Sequence, residues 1–207
     1  MIQPKYIKDL DITESLWVRD SSIVIDDTYI LMQLQDKRKL EYKTISFSKH
    51  ITQNNDKIKI EGGDIIQMND VIFIGIHKRT NLLGYRWLKQ LFPNKKFIKI
   101  NHTTLYCCFS ILPNKMILYS KQYIEKLPYF CHKHFKCVNV DDIIMGDSNL
   151  STNVLFLDEN TVLMDSRFKK VSSLFKKLGF DIIVIDIKNM WKHGGSIRCL
   201  TQPLIRK

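Results

Sequence analysis

A cysteine near the end of the chain stands in surroundings that suit a nucleophile. Cys199 follows Gly194 and Gly195 and comes directly after Arg198, in the stretch GGSIRCLTQPL. Glycine lets backbone approach a ligand closely, and a cysteine thiolate is a strong nucleophile. The same stretch is also compatible with a turn followed by a small buried hydrophobic residue, the usual role of a free cysteine. The choice depends on what the chain places around Cys199.

Two acidic residues stand just before apolar, strand-like runs. Asp20 precedes the run SSIVI, and Glu61 begins the sequence EGGDII. Two carboxylates buried around one centre are costly unless a cation lies between them, and a planar guanidinium offers the forked donors that carboxylates match. The pair therefore indicates a guanidinium site. Taken alone, Glu-Gly-Gly-Asp is also typical of a tight turn.

The elements that must position these residues form a repeat. Four segments read as apolar run, polar turn and apolar run, which predicts four β-hairpins. Their turn residues recur about every 43 to 46 positions, at Asp27, Asp70, Asn114 and Asn160. Such a period is typical of repeat or propeller architectures.

Helix-like stretches follow the later hairpins. Amphipathic segments begin after Asn81, Ser120 and Ser166, and the last is closed by Gly179; each is followed by a further strand. The predicted unit is β-β-α-β. The first unit has only the segment SKHITQNND where its helix should be.

The repeat predicts a ring. A fifth copy would begin with a strand-like run at Gly194, and the N-terminal segment would supply its missing strand. Hairpin starts converge on the axis of such a ring, which would bring Asp20, Glu61 and Cys199 together. We therefore predict one α/β domain over residues 1–207, a five-bladed ββαβ propeller with pseudo-five-fold symmetry.

Three segments resemble the signature segments of a known family. VRDSSIVIDD, EGGDIIQMNDVIFIGIHKRTN and GGSIRCLTQPL are similar to those of the guanidine-modifying pentein superfamily, which includes arginine deiminases, dimethylarginine dimethylaminohydrolases and amidinotransferases. The resemblance implies the same five-bladed propeller and a small-molecule, arginine-like guanidine substrate, with no cofactor. It also implies that Cys199 attacks the guanidinium carbon to give a covalent thiouronium, while Asp20 and Glu61 hold the guanidinium nitrogens.

The reaction type stays open between two alternatives. We expect hydrolysis, because the chain lacks the insertions that enclose larger acceptors in amidinotransferases; this expectation rests on analogy with the family. Amidino transfer is the alternative, since a thiouronium can be resolved by water or by an amine.

One part of the family pattern is not matched. When the chain is aligned on CCFSIL, the family's His-x-Asp positions fall on Thr104 and Tyr106, and the nearest histidine is His102. In an extended strand this two-residue offset moves a side chain by about 6–7 Å. His102 is the candidate general acid/base if the strand bulges. Otherwise the general acid/base is missing, and we expect slow or stalled turnover with an adduct on Cys199. The alternative is a non-catalytic pentein, either a ligand-binding pseudoenzyme or a ribosome-binding-type module.

Three further side chains leave a functional and a structural role open. Arg79 and Arg198 could bind a substrate carboxylate bidentately, or each could be structural. His193 lies six residues before Cys199, and we expect an exposed loop histidine there. Cys107 is expected to be a strand residue.

A cluster of sulfur and nitrogen side chains raises the question of a metal. The segment CHKHFKC lacks the paired Cys-x-x-Cys spacing of zinc sites and lies in a predicted helix, so we expect no metal there.

Composition narrows the classes of partner. The formal net charge is +11, but the basic groups, such as QDKRKLEYK, are short and separated, which predicts solvated faces and no nucleic-acid partner. No run approaches the roughly 18–20 apolar residues of a membrane span, and no leader is recognisable. The 5 cysteines have no disulfide-like spacing, so we expect reduced thiols and a cytoplasmic location. The sequence leaves the oligomeric state open.

Overall fold

The computed structural model describes residues 16–34, 38, 39, 41, 50–102 and 104–203, and all structural statements below concern those residues. The strands within them are β1 (Ser22–Ile25), β2 (Thr28–Leu31), β3 (Ile65–Met68), β4 (Val71–Gly75), β5 (Lys96–Ile100), β6 (Phe109–Leu112), β7 (Met116–Tyr119), β8 (Lys136–Asn139), β9 (Leu155–Phe156), β10 (Thr161–Asp165) and β11 (Asp181–Ile185). The α-helices are α1 (Val18–Ser21), α2 (Leu82–Leu91), α3 (Tyr129–His134), α4 (Lys169–Lys177) and α5 (Lys188–Trp191). Short 3₁₀ helices lie at Gly62–Asp64, Leu105–Cys107, Val140–Asp142 and Ile197–Leu200.

Three sheets confirm the predicted β-β-α-β unit. They have the orders β3-β4-β5, β6-β7-β8 and β11-β10-β9. In each, the first two strands form an antiparallel hairpin, and the third strand, reached through a helix, pairs parallel with the second. Because the three sheets have the same strand directions, their hairpins start at equivalent ends of the three sheets.

The first unit is reduced, as the sequence indicated. Strands β1 and β2 form a two-stranded sheet, and one parallel bridge between Ile30 and Ile51 takes the place of the third strand. The backbone of Ile51 bonds to Tyr29 and Leu31. Residues 50–58 form no helix, and the start of the SKHITQNND segment lies outside the described residues.

The predicted fifth blade is not among the four sheets of the described residues. The stretch expected to begin it as a strand folds instead into the 3₁₀ helix Ile197–Leu200, because Gly194 turns the chain at φ +87° and Cys199 N bonds back to Ser196 O. The N-terminal segment predicted to complete that blade, residues 1–15, lies outside the described residues. Five-fold closure of the ring thus stays a prediction.

The helices differ in length from their predictions. Asn81 caps α2 by accepting a bond of 2.9 Å from Gly84 N, and the left-handed Gly179 follows the end of α4 at Lys177, both as expected. The helix predicted after Ser120 is shorter, since α3 begins only after Pro128. Proline restricts the residue before it to extended backbone, which prevents the helix from starting earlier.

Apolar side chains join successive sheets. Ile23 of the first sheet packs in one cluster with Ile65 of the second, Phe73 of the second with Phe109 of the third, and Leu118 of the third with the fourth sheet. The core therefore runs from sheet to sheet along the chain. None of the helices described is both long and apolar enough to cross a bilayer.

Candidate functional site

A cavity of about 420 Å³ gathers most of the predicted site residues. Asp20, Arg79, His102 and Cys199 line it, although they lie far apart in the sequence. His193 also lines it, and its side chain is exposed as predicted. Of the predicted site residues, Glu61 and Arg198 are not part of the lining.

The nucleophile candidate is carried by a braced turn. Buried Arg19 donates from Nε to the Arg198 carbonyl oxygen at 3.1 Å and from Nη2 to Thr201 Oγ1 at 3.0 Å, which fixes the 3₁₀ helix that carries Cys199. Gly195 is required just before that helix because a Cβ there would overlap the ring of Trp17. The glycine pair therefore makes a turn and also allows a close approach.

The Cys199 sulfur sits among hydrogen-bond donors. The Cys107 thiol, which packs in one cluster with Cys199, is the largest cause that lowers the pKa of Cys199 below its ordinary value. Bonds from Ser196 and Asn153 lower this pKa further, whereas burial and the charge of Asp20 raise it. The thiolate is the reactive form of cysteine, so a lowered pKa makes Cys199 reactive at lower pH than an ordinary thiol.

Asp20 lines the same cavity and has one carboxylate oxygen without a hydrogen-bond partner in the described residues. It lies in α1, is 3% exposed, and its Oδ2 accepts from Arg38 Nη1 at 3.0 Å. Its Oδ1 is buried and has no hydrogen-bond partner within the described residues. A buried acceptor of this kind is costly without a donor, so the site suits a ligand that brings an N–H group.

The Glu-Gly-Gly-Asp sequence determines where Asp20 lies. A Cβ at Gly62 would overlap backbone oxygens of Arg19 and Ser22, and a Cβ at Gly63 would overlap Asp20 Oδ1. Only glycine lets the 3₁₀ helix Gly62–Asp64 pack so closely on α1. The sequence therefore forms the tight turn, and this turn holds the Asp20 carboxylate in place, while the role of Glu61 in guanidinium binding stays a prediction.

Gly63→Ala is expected to displace the Asp20 carboxylate. The added methyl group needs the space that Oδ1 occupies, so alkylation of Cys199 by a haloacetamidine should fall at least about tenfold relative to wild type, and the melting temperature should drop. Gly179→Ala is the matched control: its φ of +87° strains alanine, but nothing lies within 4 Å. It should lower the melting temperature and leave the labelling unchanged. Equal labelling of both variants would contradict this account of Gly63.

A cluster of cations neutralises the carboxylates. Arg79 Nη1 lies 3.1 Å from Glu61 Oε2 and 3.7 Å from Asp20 Oδ2, and Arg38 also contacts both carboxylates. Burial, followed by the charge of Asp20, raises the pKa of Glu61, while Arg79 and Arg38 lower it. The carboxylates therefore bind guanidinium groups of the chain itself, and binding of a substrate guanidinium stays a prediction. The ion pairs favour a structural role for Arg79.

Arg38 is buried, contrary to the expectation for its basic run. The run QDKRKLEYK was expected to be a solvated face, but Arg38 is 7% exposed and its Nε and Nη2 bond to Glu41 at 2.7 and 2.8 Å. Its guanidinium is buried because three carboxylates surround it, those of Glu41, Asp20 and Glu61. The acidic partner within the run, three residues after Arg38, was the available signal.

Arg198 is placed outside the cavity lining. Its guanidinium carbon lies 3.9 Å from the centre of the Tyr106 ring, and Nη1 donates to Ser110 Oγ at 3.1 Å. Stacking on Tyr106 directs the Arg198 guanidinium into the protein. This placement favours a structural role for Arg198 over binding of a substrate carboxylate.

The segment around His102 differs from the extended strand assumed for it. Thr104 adopts the left-handed region at φ 50°, the 3₁₀ helix Leu105–Cys107 follows, and β6 begins only at Phe109. A spacing calculated for a strand does not apply to this turn, and His102 reaches the cavity wall. The left-handed region is strained for a β-branched residue, and such strain is concentrated at functional sites. Cys107 correspondingly lies in the 3₁₀ helix and not in a strand.

The possible metal ligands of CHKHFKC are dispersed. Cys131 is buried in α3, His132 and His134 are exposed, and Cys137 lies in β8. Within the described residues, no group of three or more His, Cys, Asp or Glu side chains could hold a metal ion.

Sequence reasoning missed Asn153 and the role of Cys107. Asn153 donates to the Cys199 sulfur at 3.2 Å, across 46 positions of sequence. Asparagine before a hairpin is common, so nothing in the sequence distinguishes it. The one signal for Cys107 was its place directly after the two residues that align with the family's His-x-Asp.

Comparisons with known proteins extend these observations. No family model matches the chain. An uncharacterised protein of Bacillus subtilis (strain 168), YkgA, is 30% identical over 152 residues, which are 71% of this chain and 52% of that protein. The mitochondrial glycine amidinotransferase of Xenopus laevis is 24% identical over 197 residues, which are 88% of this chain and 46% of that protein. The chain thus spans about half the length of the curated relatives it matches.

Solved structures share the fold. One is a Cys-to-Ser variant of dimethylarginine dimethylaminohydrolase from Pseudomonas aeruginosa in complex with citrulline. Its TM-score is 0.75 at 16% identity, and the match covers 93% of this chain and 77% of that chain. Amidinotransferases and an arginine dihydrolase give TM-scores from 0.70 to 0.77. At these identities the likeness establishes the α/β fold.

Proposed function

We propose that this chain is a member of the pentein superfamily, as its segments predict, and that it modifies the guanidine group of arginine or a substituted arginine, with Cys199 as the nucleophile. The proposal extends over the single domain predicted for residues 1–207. The solved structures that share its fold are named as an amidinotransferase, a dimethylarginine dimethylaminohydrolase and an arginine dihydrolase.

One observation carries the proposal. Asp20, with its unpartnered and buried Oδ1, lines the same cavity as Cys199. A guanidinium that donates an N–H to Oδ1 satisfies this acceptor and brings a cation next to the sulfur. That cation favours the thiolate, so the substrate promotes ionisation of its own nucleophile.

The proposed reaction has two steps. The Cys199 thiolate attacks the guanidinium carbon, and the tetrahedral adduct expels ammonia or an amine, which takes up a proton. A thiouronium remains on the sulfur. Water that loses a proton then adds to its carbon, and the C–S bond breaks to release the ureido product and the thiolate. If an amine adds instead of water, the result is amidino transfer; we favour hydrolysis.

His102 is the proposed acid/base. Burial is the largest cause that lowers its pKa, and the charge of His77 lowers it further, so the imidazole is neutral at pH 7 and can accept a proton from water. The Tyr123 ring packs against it at 5.9 Å between ring centres, which limits its rotation.

Removal of this imidazole is expected to stop the second step more than the first. With arginine or N-methylarginine, His102→Ala should lower citrulline formation by about 10²- to 10⁴-fold, while the adduct on Cys199 still forms. Mass spectrometry of the intact protein and a citrulline assay measure the two steps. His134→Ala, on the outer face of α3, is the control and should match wild type. If wild type turns over and His102→Ala is indifferent, the acid/base is another group, and His193→Ala is then the variant to test.

A second candidate function is ligand binding without turnover. At the family's His-x-Asp positions this chain has Thr104 and Tyr106, and Tyr106 is buried beneath the guanidiniums of Arg19 and Arg198. No carboxylate or imidazole stands at those two positions. An adduct or bound arginine without any citrulline would favour this alternative.

A further inference from the structure

A buried asparagine contacts the sulfur that the proposed reaction uses. Asn153 lies between the turn at Leu150 and strand β9, and it is 1% exposed. Its Nδ2 donates to Cys199 Sγ at 3.2 Å, and its Oδ1 accepts from Arg198 N at 2.8 Å. One amide thus bonds to two successive residues of the 3₁₀ helix.

These two bonds determine which way the amide faces. A backbone N–H can bond only to an acceptor, so the end of the amide that meets Arg198 N must be its oxygen. The NH₂ group is therefore the end that faces the sulfur. A donor in that position stabilises a negative sulfur more than a neutral thiol.

The surroundings make such a donor necessary. Cys199 is 4% exposed, and a buried anion is costly unless hydrogen bonds replace the water it loses. Asp20 lines the same cavity and opposes a second negative charge there.

We propose that Asn153 is a catalytic residue that donates its Nδ2–H to the Cys199 thiolate and thereby prepares the nucleophile for attack. This inference rests on the proposed role of Cys199. When the C–S bond forms, the sulfur loses its negative charge and becomes a weak acceptor. The hydrogen bond from Asn153 therefore stabilises the free thiolate more than it stabilises the adduct that forms after attack.

The test measures the thiol directly and needs no turnover. Alkylation of Cys199 by iodoacetamide is followed against pH in the full-length protein, using the tryptic peptide 199–206, which contains no other cysteine. Asn153→Ala removes both bonds, whereas Asn153→Asp keeps the oxygen that accepts from Arg198 N and places an acidic oxygen at the sulfur. Asn160→Ala, an exposed asparagine of the neighbouring β9–β10 turn, is the matched control.

The midpoint of the alkylation profile is expected to rise by about one to two pH units in Asn153→Ala and at least as far in Asn153→Asp, the effect of one hydrogen bond to a charged group. Well below the wild-type midpoint, alkylation should then be about 10- to 100-fold slower. Asn160→Ala should follow the wild-type profile. An unchanged midpoint in folded Asn153→Asp overturns the inference, even if Asn153→Ala fails to fold.

The two proposals fail in different ways. A shifted profile in a protein that never forms citrulline or an adduct supports the role of Asn153 and contradicts the proposed function. Turnover in wild type with an unshifted profile in Asn153→Asp supports the function and contradicts the role of Asn153.

Discussion

Cys199→Ser should abolish labelling of this protein by a haloacetamidine and reduce any turnover of arginine by on the order of 10⁴- to 10⁶-fold. The reagent carries an amidinium that Asp20 can hold next to the sulfur. Wild-type labelling should be selective for Cys199 over the other four cysteines and should be slowed by arginine. Because hydrogen bonds lower the pKa of Cys199, the labelling rate should rise with pH and level off below the ordinary thiol range.

The remaining cysteines provide the controls for this result. Cys131→Ala removes a buried thiol of α3, outside the cavity lining, and should leave labelling of Cys199 unchanged. Cys107→Ala should slow the labelling, since the Cys107 thiol is the largest cause of the lowered pKa. Labelling spread evenly over the cysteines, or confined to Cys107 or Cys131, would contradict the assignment of the nucleophile.

Asp20→Asn is expected to weaken binding of arginine by about 30- to 5,000-fold. Loss of one partner of a buried, charge-assisted hydrogen bond costs on the order of 2–5 kcal/mol. The substitution keeps the shape of the side chain but removes its charge, and the new amide presents a donor to Arg38 or to the ligand. Calorimetry with L-arginine measures the loss, and protection of Cys199 from alkylation provides an independent readout.

Two carboxylates serve as comparisons for Asp20. Asp27→Asn, in the exposed turn between β1 and β2, should leave the affinity unchanged. Glu61→Gln should also weaken binding, but less, because Arg38 and Arg79 already contact Glu61 and it does not line the cavity. Unchanged affinity in both Asp20→Asn and Glu61→Gln would mean that the guanidinium binds elsewhere.

The repeat could be predicted from the sequence because it depends on local patterns. Apolar runs interrupted by a polar turn specify a hairpin through residues close in sequence, as at Asp70 and Asn160. A helix cap such as Asn81 acts within one turn of its helix. The helix predicted after Ser120 was too long, because the prediction followed the extent of the amphipathic pattern and gave less weight to Pro128.

Within the candidate site, the sequence by itself predicted Asp20, Glu61 and Cys199, since residue types that suit the chemistry stand in recognisable segments. Tertiary structure decided how they are arranged. Arg38 became buried, and Asn153 came to face the Cys199 sulfur, through contacts between segments 18 and 46 positions apart. His102 reached the cavity through a left-handed residue that no periodicity indicates. The physical reason is that a side chain's partner across the fold depends on packing, whereas periodicity and turn signals record only a residue's neighbours along the chain.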